Sequence, residues 1–372
     1  MIYLDNAATT KVSDEVINEM INYYTTDYAN ASSKHIFGKR LKNVIDESRK
    51  KVADFINAFE NEIFFNSGST EGINTVLRGY VEANIDKGQH IITTKVEHKV
   101  VLETCYYLES IGIEVTYLDV DSNGRIDLGE LERSIKPETL LVSILWINNE
   151  TGIIQDIVSI SKIVSNYNSK LFVDATQVVG KMPVDVRSLN IDMLCLSAHK
   201  FNGPKGVGAL FIKKDTTIKP LLYGGGQEKG MRSGTLNVPG IVGLAKACEI
   251  SNLDSTNVKN VMKYLESNLL TKFECEIIGR DVERSPYISN VIFNGSDADV
   301  VIGKLTQTII STGSACTSEI NEPSHVLKNM GMDDEKAFGA LRFSISKDTT
   351  TNEIDLALEE LEKVIIKGSS IN

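Results

Sequence analysis

Apolar residues recur along the chain with two alternating periods. Val16, Ile17, Met20, Ile21 and Tyr24 follow helical spacing after Ser13, a residue suited to an N-cap. A longer helical stripe carries Phe37, Leu41, Val44, Ile45, Val52, Phe55 and Ile56. Short apolar runs then alternate with helical segments. The runs fall at 62–65, 90–92, 113–118, 140–145, 171–173 and 193–196, and helices are predicted near 71–81, 100–108 and 157–167. Strand–helix–strand repetition predicts right-handed crossovers and an α/β fold, with a mainly parallel sheet covered by helices on both faces. Residues 203–212 read as a turn entering a further strand. Past about residue 252 the pattern becomes a helix at 258–270, strands at 287–293 and 341–345, and a closing helix at 354–366. The predicted division is a large domain over 13–255 and a smaller α+β domain over 256–372, joined by residues 1–12.

Length agrees with two domains, since 372 residues stand against about 150 per domain. Hydrophobic residues make up 42% and charged residues 24%, which excludes a disordered or fibrous chain. The net charge of −11, with no basic run, argues against direct nucleic-acid binding. Cys105, Cys195, Cys248, Cys275 and Cys316 include no CxxC pair, so no metal site is expected and free thiols in a reducing compartment are. The N-terminus lacks the basic and apolar regions of a signal peptide, and no apolar run approaches the ~18 residues of a membrane span. The expectation is a cytoplasmic protein with no membrane partner.

Three constellations carry chemistry. In Phe65-Asn66-Ser67-Gly68-Ser69-Thr70-Glu71-Gly72, an apolar strand enters a Gly/Ser/Thr turn and then a helix. Backbone N–H groups at such a helix start, with hydroxyls beside them, suit a phosphate, while a well-capped helix is the plainer reading. The run is neither a P-loop nor a dinucleotide fingerprint. In Leu171-Phe172-Val173-Asp174-Ala175-Thr176-Gln177, an apolar strand ends on a carboxylate, where ligands of open parallel sheets sit. That aspartate suits a cationic ring nitrogen or, more plainly, a helix N-cap. In Met193-Leu194-Cys195-Leu196-Ser197-Ala198-His199-Lys200, another strand ends in Ser, His and Lys before Gly203-Pro204-Lys205-Gly206. A lysine following a buried strand can become a nucleophile toward aldehydes. Together the three supply what pyridoxal 5'-phosphate requires: a phosphate cradle, an acid for the ring nitrogen and an amine for a Schiff base.

These segments resemble a known family when taken with Tyr3-Leu4-Asp5-Asn6-Ala7-Ala8-Thr9-Thr10, Glu97-His98-Lys99, Asn148-Asn149-Glu150-Thr151-Gly152, Arg232-Ser233-Gly234-Thr235 and Gly313-Ser314-Ala315-Cys316-Thr317-Ser318. The ordered set is similar to the class V pyridoxal-phosphate enzymes of fold type I, and within them to NifS/IscS-type cysteine desulfurases. The resemblance runs from residue 3 to about 365. It implies that Lys200 forms the Schiff base, that Asp174 pairs with the pyridine nitrogen, that His98 stacks on the ring and moves protons, and that Gln177 touches the phenolic oxygen. It assigns the phosphate to Ser69, Thr70, Ser197 and His199, with Thr235 reaching the site of a partner subunit in a homodimer. Asn149 and Arg342 would hold the substrate carboxylate, and Asn30 would approach substrate. From the residues alone, an ordinary ion pair is the better reading of Arg342.

Cys316 lies in a run of small polar residues, a composition suited to a loop that presents a thiol. Cys105 and Cys195, with apolar neighbours, read as structural, as do Cys248 and Cys275. The resemblance implies that L-cysteine is converted to L-alanine and that Cys316 is left as a persulfide for a sulfur-acceptor protein. Iron–sulfur cluster assembly, tRNA thiolation and related sulfur delivery all fit. Asn30-Ala31-Ser32-Ser33 stands where the family has Asn-Pro, which puts the local turn in doubt. The chain ends soon after its last helix, which weakens the expectation of an iron–sulfur scaffold as partner. Another class V enzyme, such as a selenocysteine lyase or an aminotransferase, and a non-catalytic docking subunit of a sulfur-transfer complex are the competing readings.

Overall fold

The computed structural model describes residues 1–312 and 322–368. A seven-stranded sheet runs in the order Ile63–Asn66, Gly208–Ile212, Met193–Ser197, Lys170–Asp174, Thr139–Leu145, His90–Thr94 and Glu114–Leu118. Gly208–Ile212 is antiparallel to both neighbours, and the remaining pairs are parallel. The two-residue period of these strands sends successive side chains to opposite faces. Leu171, Val173, Leu194 and Leu196 join one apolar core, whereas Phe172, Met193 and Cys195 join another. Both faces are covered, so the strands read as continuous apolar runs rather than alternating ones. Helices Ile36–Phe55, Ile157–Val164 and Val238–Ile250 supply the first core, and helices Ser69–Asn84 and Lys99–Ser110 the second.

A second, antiparallel sheet orders Ala340–Ser344, Ile288–Phe293 and Cys275–Ile277. Helices Thr256–Lys272 and Thr351–Gly368 contribute Leu265, Leu269, Leu358 and Leu361 to its core. The N-terminus belongs to this core as well. Ile2–Tyr3 pairs in parallel with Thr308–Ile309, and Ile2, Leu4 and Ala7 are buried in it. The chain then crosses to the large sheet, where Thr10 N donates to His199 O at 2.9 Å and Ser13 N to Asn202 O at 3.0 Å. That crossing places Ala7, Ala8 and Thr9 over the carboxyl ends of the large sheet's strands.

Two local expectations change. Ser13 does precede helix Asp14–Thr25, but its hydroxyl donates to Glu15 Oε2 at 2.8 Å instead of capping the backbone. In that helix Val16 is buried, whereas Ile17, Ile21 and Tyr24 are exposed, as is Phe37 at the start of helix Ile36–Phe55. The helix packs on Val238–Ile250 through Val16 and Met20, a narrower face than its apolar stripe.

Candidate active site

A cavity of about 540 Å3 opens beyond the carboxyl ends of the large sheet's strands. Ser69, Thr70, His98, Asn149, Asp174, Gln177, Ser197, His199, Lys200 and Arg342 all line it. Ten side chains expected from the sequence to act together are therefore brought together.

One wall is the start of helix Ser69–Asn84. Gly68 stands at its N-cap with φ 140°, and no side-chain hydrogen bond caps the turn. The plainer reading of this segment, a well-capped helix, is thus set aside. First-turn N–H groups without a cap, at the positive end of a sixteen-residue helix, form an anion site. Glu71, in the first turn, is engaged by the preceding backbone and by an arginine. It accepts from Ser67 N at 3.0 Å and from Arg232 Nε at 2.9 Å, and these bonds overcome its burial to lower its pKa.

Asp174 ends its strand buried, and it accepts from Thr176 N at 3.0 Å, Thr176 Oγ1 at 2.5 Å and Cys195 Sγ at 3.5 Å, all on Oδ1. A carboxylate can only accept, so the Thr176 hydroxyl donates to it. Ser69 Oγ, 2.5 Å from Thr176 Oγ1, then donates in turn. The carboxylate is thereby tied to the helix start, and Asp174 lines the cavity. Thr176 was part of the quoted motif without an assigned role; its position two residues after a strand-end aspartate is the available signal.

Lys200 Nζ donates to the carbonyls of Ala7 and Ala8 at 2.8 and 2.9 Å. The amine is held across the cavity by a segment almost 200 residues distant in sequence, a contact without local signature. His199 Nδ1 lies 3.1 Å from Thr9 Oγ1. Burial, reinforced by the charges of Lys200, Lys205 and Lys181, brings His199 down to about 4, so its imidazole is neutral near pH 7. His98 starts helix Lys99–Ser110 by accepting from Val100 N at 3.2 Å on Nδ1. Burial lowers its pKa; Asp174 opposes that shift, and Lys200, His325 and Lys99 add to it. Just before it, buried Glu97 accepts from Leu145 N at 2.9 Å and is raised to about 8, chiefly by desolvation.

Arg342 combines both readings made of it. Its guanidinium donates to Asp5 Oδ1 at 2.7 Å and to Asn149 O at 2.9 Å, and it lines the cavity. Gln177 donates from Nε2 to Ala7 O at 2.9 Å.

Two expected residues lie elsewhere. Thr235 is exposed and outside the cavity lining. Asn30 is exposed too, and its Oδ1 accepts from Ser32 N at 2.9 Å, so an Asn-centred turn forms without the family's proline. Cys316 lies outside the described residues. The other cysteines are poor nucleophiles: burial pushes Cys105 up to about 12 and Cys275 up to about 11, and raises Cys195 and Cys248 as well.

The cavity fits a pyridine phosphate. It offers an uncapped helix start for a dianion, an anchored carboxylate for a ring nitrogen, and a lysine amine in the same lining. The family model for class-V aminotransferases matches residues 2–357. The chain belongs to the class-V aminotransferase family, in its NifS/IscS-type cysteine desulfurase branch. It is 44% identical to cysteine desulfurase IscS of Buchnera aphidicola from Acyrthosiphon pisum, over 98% of this chain and 92% of that protein. A NifS-like protein superposes with a TM-score of 0.92 at 39% identity, over 98% of this chain and 99% of the other. A structure of SspA in complex with cysteine superposes with a TM-score of 0.85 at 35% identity, over 93% and 99%. Class V enzymes of this branch work with pyridoxal phosphate. No helix among the described residues is long and apolar enough to cross a membrane.

Proposed function

We propose that this cysteine desulfurase binds pyridoxal phosphate in the cavity, converts L-cysteine to L-alanine there, and collects the sulfur as a persulfide on Cys316. The observation that carries the reading is the convergence of the uncapped Ser69–Asn84 helix start, the anchored Asp174 carboxylate and Lys200 Nζ on one cavity. When bound, the cofactor supplies an electron sink.

The chain's own residues do the rest. Ser69, Thr70, Ser197 and neutral His199 would hold the phosphate, together with the N–H groups of the helix start. Asp174 keeps the ring nitrogen protonated. His98 would stack on the ring and move protons, and Gln177 would offer an N–H to the ring oxygen. Lys200 attaches the cofactor and afterwards carries a proton. Arg342 and Asn149 orient the substrate carboxylate; a guanidinium suits this because its fork matches two oxygens. Thr235 serves the cavity of a second copy in a homodimer, in keeping with its exposure outside this chain's own cavity, and Asn30 approaches the substrate.

The described residues that flank the Cys316 segment in sequence are bonded to elements that line or adjoin the cavity. Ser311 exchanges backbone hydrogen bonds with Arg342, at 2.7 and 3.4 Å. Beyond the segment, Ser324 Oγ donates to Glu150 Oε2 at 2.5 Å, and His325 Nε2 donates to the Glu97 carbonyl at 2.9 Å. The sulfur–sulfur bond forms on Cys316 as the substrate's carbon–sulfur bond breaks, and the carbon takes up a proton to leave as alanine. The persulfide then passes to a sulfur-acceptor protein. Borohydride reduction of the protein loaded with pyridoxal phosphate, followed by peptide mapping, tests the site. The adduct is expected on the peptide containing Lys200, and an adduct on another lysine would contradict the assignment.

A further inference from the structure

A second lysine borders this region and the chemistry above leaves it unused. Lys181 is 8% exposed and lies four residues after Gln177. Its Nζ donates to Gln177 Oε1 at 2.6 Å and stands 5.8 Å from the centre of the Tyr287 ring, whose face suits a cation. Gln177 Nε2 donates to Ala7 O, the carbonyl that also accepts from Lys200 Nζ. The Ala7 carbonyl can only accept, and Lys181, when protonated, can only donate. These two neighbours therefore admit a single orientation of the amide, with oxygen toward Lys181 and nitrogen toward Ala7. Burial, then the charges of Lys200 and Arg342, bring Lys181 down to about 7. A lysine held at that cost among like charges is an unusual filler for a core position.

We propose that Lys181 is a positioning residue that acts through Gln177, clamping the amide oxygen so that the cavity meets an N–H donor. The same chain of contacts fixes the Ala7 carbonyl that holds the Lys200 amine. The inference rests on the reading of the cavity as a pyridoxal-phosphate site with Gln177 beside the ring oxygen.

The test compares wild type, Lys181→Met, Gln177→Leu and the double variant. Three quantities are read on each: the dissociation constant of pyridoxal phosphate from the cofactor-stripped protein, the pH midpoint of the bound cofactor's visible band, and Tm. Each single variant is expected to weaken binding about tenfold and to move the band midpoint in the same direction. The double variant is expected to be no worse than the weaker single, because both changes remove one interaction. Lys181→Arg, which keeps a charged donor, is expected to bind more tightly than Lys181→Met. The proposal is overturned if Lys181→Met lowers Tm but leaves affinity and band midpoint at wild-type values, or if the losses multiply in the double variant. Should Lys181→Met fail to fold, Lys181→Gln carries the same expectation, since its polar end falls one atom short of Gln177. Failure of the folded wild type to bind pyridoxal phosphate would overturn the cofactor reading and this inference with it. That outcome is separable, because it appears before any variant is compared.

Discussion

Gly68→Ala separates the phosphate cradle from the scaffold. Gly68 has φ 140° and ψ −179°, a conformation essentially reserved for glycine, so a side chain there stores about 1–3 kcal/mol of strain. A Cβ at this position also meets Ser197 Oγ at 3.2 Å, a contact tight enough to push the hydroxyl by a few tenths of an ångström. With an unfolding entropy of about 2.1 cal/mol/K per residue, that strain lowers Tm by about 1–4 °C in a chain of 372 residues. The effect on the cofactor is larger. Charge-assisted hydrogen bonds contribute about 1.5–3 kcal/mol each, so misaligning one phosphate donor weakens binding about 10–100-fold. Gly112→Ala is the control. Gly112 has φ 94° with nothing within 4 Å of a built Cβ, and it lies just past helix Lys99–Ser110, away from the cavity lining. It is expected to lose a similar amount of Tm and no affinity. Thermal melting and titration of the cofactor-stripped proteins read both quantities. A Gly68→Ala protein that binds pyridoxal phosphate like the Gly112→Ala protein would refute the cradle.

Arg342→Lys keeps the charge but gives up the fork that reaches Asp5 and Asn149; the KM for L-cysteine is expected to rise about tenfold while cofactor affinity stays at the wild-type value. An equal loss of cofactor affinity would place Arg342 in the framework instead. His199 gives a pH dependence of known sign. An unfolded histidine titrates near 6.5 and the folded one at about 4, so the unfolded state binds more protons between these values. This contribution to stability is fully present above about pH 6.5 and is lost as pH falls toward 4. For a partly exposed group it amounts to about 1–2 kcal/mol. Urea unfolding of His199→Gln at pH 7 and 4.5 is expected to show a correspondingly smaller acid loss, and an unchanged loss would contradict the shift.

The large sheet was legible because most of its strands are short apolar runs buried on both faces, two of them ending on the polar residues Asp174 and Ser197. Strand ends carry the site in such a sheet, which is why Asp174 and Lys200 could be singled out before any resemblance entered. Strand Cys275–Ile277 was not read, since it is short and only Ile277 is buried. Helix Leu128–Ser134 escaped for a similar reason, having Leu131 as its buried residue amid charged neighbours. The contacts that finish the site are hidden for a different reason. Asp5 with Arg342, Ala7 and Ala8 with Lys200, and Thr9 with His199 join the chain's start to residues beyond 190, and no local period encodes such pairings. Lys181 follows a glycine and carries no local signal of a role; only the fold shows it buried against Gln177. The exposed Ile17, Ile21, Tyr24 and Phe37 show the opposite limit, because helical spacing reveals an apolar face without revealing what covers it.

The central claim is that sulfur leaves L-cysteine in this cavity and is taken by Cys316. Alanine and sulfide released from L-cysteine, measured with pyridoxal phosphate and a reducing thiol for wild type beside Cys316→Ala, test it most directly. Equal amounts of both products from wild type and neither from the variant, with both proteins equally loaded with cofactor, is the predicted result. Undiminished sulfide release from Cys316→Ala would contradict the account.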